Sequence, residues 1–86
     1  MSKPRKLPPG QSNIVGEKIV QLRTERGIKQ KDLVAALQSM GMDISDTSMS
    51  RLEGQTRQVY DYELPILAEA LHVSVNWLLG IESEKN

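Results

Sequence analysis

Ile44-Ser45-Asp46-Thr47-Ser48-Met49-Ser50-Arg51-Leu52-Glu53-Gly54 (ISDTSMSRLEG, residues 44–54) decides how the rest of this chain is read. Ser45 is a natural helix N-cap, because its hydroxyl can accept a backbone N–H that has no acceptor inside the first turn. Ile44, Met49 and Leu52 then fall on one face of a short helix. The opposite face is Asp46, Thr47, Ser50 and Arg51. The apolar face specifies burial, whereas the polar face is richer in hydrogen-bonding groups than a solvated helix needs.

Working outward, residues 1 to 12 combine Pro, Gly and Lys/Arg with no apolar period and read as a flexible basic arm. From Asn13 the pattern turns helical. Val15, Ile19 and Leu22 predict a first helix over roughly 13–26, capped by Ser12 or Asn13 and stopped by Gly27. Leu33 and Leu37 predict a second from Gln30 to about Met40, ahead of Gly41. Beyond ISDTSMSRLEG, Leu64, Leu67, Ala68 and Leu71 form the clearest amphipathic stripe, with Asp61 as its expected N-cap and Pro65 in or near the first turn. Ser74 caps a short VNWLL turn closed by Gly80, which sets Trp77 and Leu78 against the core, and residues 81–86 read as a frayed tail. No period-2 apolar run of useful length interrupts this order. The expectation is an all-α domain of five short helices over residues 13–80.

Eighty-six residues suffice for one domain, burying roughly 60% of the unfolded surface. The chain has no cysteine and one histidine, His72, so a thiolate metal site is excluded and no metal or other cofactor is expected. No stretch approaches a membrane span or a signal-peptide apolar region, and a soluble, cytoplasmic protein follows as the expectation. A Gly-rich phosphate loop and a nucleophile with a base partner are both missing from the sequence, so an enzyme is not expected and no small-molecule ligand is evident. Net charge is zero, yet residues 1–31 hold eight Lys/Arg against two Glu (+6), and residues 32–86 hold three against nine acids (−6). That asymmetry suggests a basic face for a polyanion.

The order of the pieces resembles the Cro and phage-repressor (lambda-repressor-like, Xre-type) helix-turn-helix family. VGEKIVQLR (15–23) resembles its first helix, and IKQKDLVAAL (28–37) its second, including the glutamine at the helix start. ISDTSMSRLEG resembles its recognition helix, and YELPILAEALHVSVNWLLG (62–80) its closing helices. The resemblance implies a sequence-specific regulator, repressor-like, that binds double-stranded DNA as a homodimer with residues about 45–53 in the major groove. It makes Asp46, Thr47 and Arg51 the base contacts, and Lys29, Gln30, Ser45, Ser48 and Arg57 the backbone contacts. The base-contact residue types suit that role, since Arg bonds bidentately to guanine, Asp accepts from cytosine N4, and the Thr methyl packs on thymine. The resemblance further implies that Arg23 and Glu53 form a structural ion pair between the first helix and the end of the third.

Five departures from the pattern matter, the most awkward of them Asp46. QSMGMD lengthens the link between helices 2 and 3, Val34 replaces a common Ala, Lys29 replaces a common Ser or Thr cap, and Gly54 stands one position early. Asp46 needs a base donor opposite it, since facing a phosphate it would repel. The N-terminal SKPRK is read either as a plain tail or as an arm entering the minor groove. A second reading of the whole chain is a protein-interaction or antitoxin-like module whose acidic half grips a basic partner, with DNA binding secondary or lost.

Overall fold

The computed structural model describes residues 10–82. The expected arm therefore lies outside the described residues up to residue 9, and so does the tail from residue 83. Five helices follow in order: α1 (Gly16–Arg26), α2 (Gln30–Ser39), α3 (Asp46–Glu53), α4 (Leu64–Leu71) and α5 (Val75–Leu78), with a 3₁₀ turn over Asp61–Glu63 leading into α4. The described residues contain no strand. The all-α expectation of five short helices is met.

One hydrophobic core joins the helices. Ile19 and Leu22 of α1, Leu33, Val34 and Leu37 of α2, Met49 and Leu52 of α3, Leu67 and Leu71 of α4, and Trp77 and Leu78 of α5 are all buried in it. α3 packs on both α1 and α2, and α4 packs on α2 and α5. Without phenylalanine, aliphatic side chains do nearly all this packing. Trp77 belongs to the core, and the Lys18 ammonium sits 4.5 Å from its ring centroid.

Local chemistry corrects several expected boundaries. α1 starts at Gly16 instead of 13, because the buried Asn13 side chain accepts the Gly16 N–H at 2.8 Å and holds residues 13–15 outside the helix. Asp61 does not cap α4: it opens the 3₁₀ turn, while the Glu63 carboxylate accepts the Tyr60 N–H at 2.9 Å at the helix entry. Pro65 falls in the first turn of α4, where its missing N–H has no acceptor to lose. Ser12, expected within the arm, is tied to the body, donating its N–H to the Gln55 carbonyl at 2.6 Å. At the other end the described part of the tail is held too. The Ile81 N–H bonds to the Asn76 carbonyl at 2.9 Å, and the Glu82 carboxylate accepts from the Ser74 hydroxyl at 3.1 Å.

The long link after α2 divides between helix and turn. α2 runs on to Ser39 and stops in a left-handed Gly41 at φ +93°, with the Met42 N–H bonded to the Leu37 carbonyl and the Gly41 N–H to that of Gln38. This cap turns Met42 back into the core, and Ile44 follows it there. The Gln38 amide then spans the link, donating to the Ile44 carbonyl at 2.7 Å. Ser45 caps α3 as its sequence implies, its hydroxyl accepting the Ser48 N–H at 3.1 Å. At the far end Gly54 has an ordinary φ of −81°, and Gln55 instead takes the left-handed position at φ +66°. The early glycine thus leaves its side-chain-bearing neighbour to close the helix.

Among the described residues no helix is long and apolar enough to cross a membrane, and no cluster of three or more His, Cys, Asp or Glu is arranged to hold a metal ion.

Candidate nucleic-acid interface

α3 owes its outward face to its inward one. Burial of Met49 and Leu52 fixes its rotation and leaves Asp46, Thr47, Ser50 and Arg51 exposed. The side chains of Asp46, Thr47 and Arg51 have no hydrogen-bond or ion-pair partner within the described residues. Asp46 lies in the first turn, where the helix dipole favours a carboxylate. The three expected base contacts therefore share one open face. Lys29, the N-cap residue of α2, is likewise exposed.

The other expected site residues are engaged within the protein. Arg23 grips Glu53 with two nitrogens, Nε at 2.8 Å from Oε2 and Nη2 at 3.1 Å from Oε1, and donates a third bond from Nη1 to the Ile28 carbonyl at 2.9 Å. The Gln30 amide nitrogen donates to Glu53 Oε1 at 3.0 Å, and its oxygen accepts from the Ser50 hydroxyl at 3.2 Å. A polar chain thus runs from α1 through the end of α3 to the start of α2, and back to the exposed face of α3. With the Glu53 side chain only 8% exposed, the pair acts as a clamp on the C-terminal end of α3.

Arg57, expected against a DNA backbone, is held in a second clamp. Its Nη1 and Nη2 each lie 3.0 Å from an oxygen of Glu63, its Nε donates to the Ser48 hydroxyl at 2.9 Å, and Nη1 also reaches the Gln58 carbonyl at 2.9 Å. The Glu63 side chain is 4% exposed. Burial pushes this carboxyl upward, but the Arg57 hydrogen bonds and the Tyr60 N–H outweigh burial and hold it below the usual carboxylate range. Arg57 is raised in turn, chiefly by its hydrogen bonds to Glu63. Ser48 is half-buried and its hydroxyl oxygen already accepts from Arg57, so Ser45 and Ser48 both serve the frame of α3.

Glu63 is the site residue that sequence reading missed. The signal was its position: residues 63, 67 and 71 stand four apart, which puts an acid on the buried stripe of Leu67 and Leu71. A carboxylate there requires a cation, and Arg57 is the nearest base.

Asn13 and Gly16 complete the mount. The Asn13 amide donates to the carbonyls of Leu52 at 3.1 Å and Arg57 at 2.7 Å, and the Gln55 amide bonds back to the Asn13 carbonyl at 3.1 Å. At Gly16 the backbones of α1 and α3 approach so closely that a Cβ would stand 2.2 Å from the Leu52 carbonyl oxygen.

No protein-family model matches the chain, and no curated protein matches it by sequence.

Proposed function

We propose that this protein is a sequence-specific double-stranded DNA-binding regulator of the helix-turn-helix type, repressor-like and cytoplasmic, acting as a homodimer with α3 in the major groove. The observation that carries the reading is the division of α3. Asp46, Thr47 and Arg51 stand exposed without partners among the described residues, while Glu53 is bonded by Arg23 of α1, Ser48 by Arg57 of the following loop and the carbonyl of Leu52 by Asn13 ahead of α1. A helix that presents donors and acceptors from a fixed backbone suits base readout, because misorientation by even a fraction of an ångström defeats a bidentate contact.

In this reading Arg51, Thr47 and Asp46 address base edges. Lys29 supplies charge against the phosphates at the start of α2, where the unpaired N–H groups and the helix dipole also favour an anion. Arg57 and Ser48 support the helix in place of touching DNA. One such domain reads a half-site, so two copies on a two-fold operator are needed for a full sequence.

The test is a salt-titrated gel shift on the DNA upstream of the protein's own gene. Affinity falls steeply and linearly in log–log form as salt rises, by about 0.9 in slope per phosphate neutralised, and Arg51→Ala relaxes sequence preference. Binding to a protein partner that survives Arg51→Ala, with no duplex shifted at low salt, would instead establish the interaction-module reading.

A further inference from the structure

Two segments far apart in sequence close around one cavity. The link between α2 and α3 supplies Met42 and Asp43, and the stretch leading into α4 supplies Tyr60, Tyr62 and Ile66, around a volume of about 390 Å³. That lies toward the lower end of the roughly 300–1,000 Å³ common for small-molecule sites. The Arg57–Glu63 ion pair lines the cavity as well. Charge decides what such a lining holds. Arg57 is matched by Glu63, Nη1 and Nη2 each 3.0 Å from a carboxylate oxygen, so the pair offers a ligand no net charge. Asp43 is exposed and has no hydrogen-bond or ion-pair partner among the described residues. In the same lining Tyr60 and Tyr62 are 52% and 67% exposed, and their rings stack in parallel with centroids 5.6 Å apart. An aromatic face is the negative pole of the ring quadrupole and attracts a cation.

We propose that this cavity is a binding site for a small organic cation, an amine carrying a compact apolar or aromatic body. The ammonium pairs with the Asp43 carboxylate and lies against a tyrosine face, while the body covers Met42 and Ile66. An anion would have to draw Arg57 away from Glu63, whose side chain is only 4% exposed, and would face Asp43 besides. A neutral ligand of the same shape gains the apolar contact alone.

The site is independent of the DNA-binding reading, yet it touches the frame of α3 from two sides. Arg57, in its lining, donates to the Ser48 hydroxyl at 2.9 Å, and Asp43 stands two residues ahead of the Ser45 cap. An occupant that joins Asp43 to the tyrosines ties the link before α3 to the turn before α4. Binding to the folded chain alone therefore raises its stability with ligand concentration.

The experiment titrates the full chain, followed by its amide NMR signals, with 2-phenylethylamine, 2-phenylethanol and 3-phenylpropionate, which share a body and differ in the charge of the head group. The amine saturates with a Kd on the order of 1 mM and moves the amides of Met42, Asp43, Tyr60 and Tyr62. At ~10 mM it raises Tm by about 5–10 °C, whereas the alcohol and the acid bind at least about tenfold more weakly. Asp43→Asn weakens the amine about tenfold and leaves the alcohol unchanged, and Asp43→Glu restores the amine. Tyr62→Leu keeps apolar area but loses the ring face and weakens the amine about 2–5-fold, whereas Tyr62→Phe does not. Both side chains are exposed, so the free variants melt with wild type. Tighter binding of the acid than of the amine overturns the proposal in favour of an anion site at Arg57. Equal binding of all three probes overturns it in favour of an undiscriminating apolar groove. Amine binding that Asp43→Asn leaves unchanged, or no saturation by any probe at ~20 mM, overturns it outright. Failure to bind DNA changes none of these outcomes.

Discussion

The outward face of α3 and its C-terminal end lie within a few residues of each other and are built on opposite terms. Along the face, Asp46, Thr47 and Arg51 have no partners among the described residues and keep their hydration and rotamer freedom. At the end, Glu53 is shared between Arg23 and Gln30, the Leu52 carbonyl is taken by Asn13, and the loop beyond is clamped by Arg57 on Glu63. The frame is held by buried, charge-assisted bonds whose loss is costly. The face contributes almost nothing to folding, so its residues are free to vary with whatever it meets. Stability and the open polar face are thus assigned to different atoms of one short helix.

The sharpest way to break this contrast is at Glu63. Glu63→Gln leaves the Arg57 guanidinium, 16% exposed, facing a neutral amide. A loss of about 3 kcal/mol is expected from denaturant unfolding, with the outward face of α3 unaltered. The pH dependence carries its own sign. Because the folded-state pKa of Glu63 is lowered, its contribution is fully present above the unfolded value of roughly 4.3 and disappears as pH falls through the folded one. Wild type should therefore lose part of its acid-side stability below about pH 4.3 through this residue, and the Gln variant should lack that component. Next in size is Gly16→Ala. A methyl group 2.2 Å from the Leu52 carbonyl must push α1 off α3. About 2 kcal/mol of stability should go, and the displaced α3 should bind DNA more weakly as well.

These two residues also mark where sequence reading stops. The helices are legible because Leu, Ile and Val recur at helical spacing and because Ser45, Ser74, Gly27 and Gly41 punctuate them. The exposed face of α3 follows from Met49 and Leu52 alone, and the Arg23–Glu53 pair comes from the resemblance. Gly16 gives no signal, since a glycine near a helix start is equally compatible with a cap, and only the crossing of α1 and α3 makes it obligatory. The internal role of Arg57 is hidden for a related reason. A basic residue just beyond the expected recognition helix suits a phosphate, and its buried acid six residues later becomes visible only once the 3₁₀ turn brings Glu63 back toward Ser48. Boundaries fail where a side chain does a helix's work, as Asn13 does ahead of α1.

A smaller effect is expected at the other clamp. Glu53→Gln keeps the volume and one acceptor but removes the charge opposite Arg23, whose side chain is 20% exposed and partly solvated. About 1.5 kcal/mol is expected, a fall in Tm on the order of 6–12 °C. Because Gln30 links Glu53 to Ser50, the variant should also weaken DNA binding modestly and equally across duplexes, without changing which bases are preferred. Unchanged stability would show that α3 is held by its apolar side alone.

The smallest effect on folding should belong to Asp46→Ala and Arg51→Ala, each within about 0.5 kcal/mol of wild type in denaturant unfolding. Their effect on binding should be the largest of all. Arg51→Ala should cost about 1–3 kcal/mol on the preferred duplex and little on others. Asp46→Ala is the more searching case, because a carboxylate at the head of a recognition helix helps only where it meets a donor such as cytosine N4 and repels wherever it meets phosphate. The Gly41 cap shortens the extended link and seats Ile44 in the core, which sets Asp46 one residue past the Ser45 cap on the outward side of α3. The expected outcome is weaker binding to the preferred duplex and relaxed choice at one base pair. Tighter binding to every duplex would mean instead that Asp46 faces the backbone, and α3 would then have to be rotated in the groove until Thr47 and Ser50 led the reading.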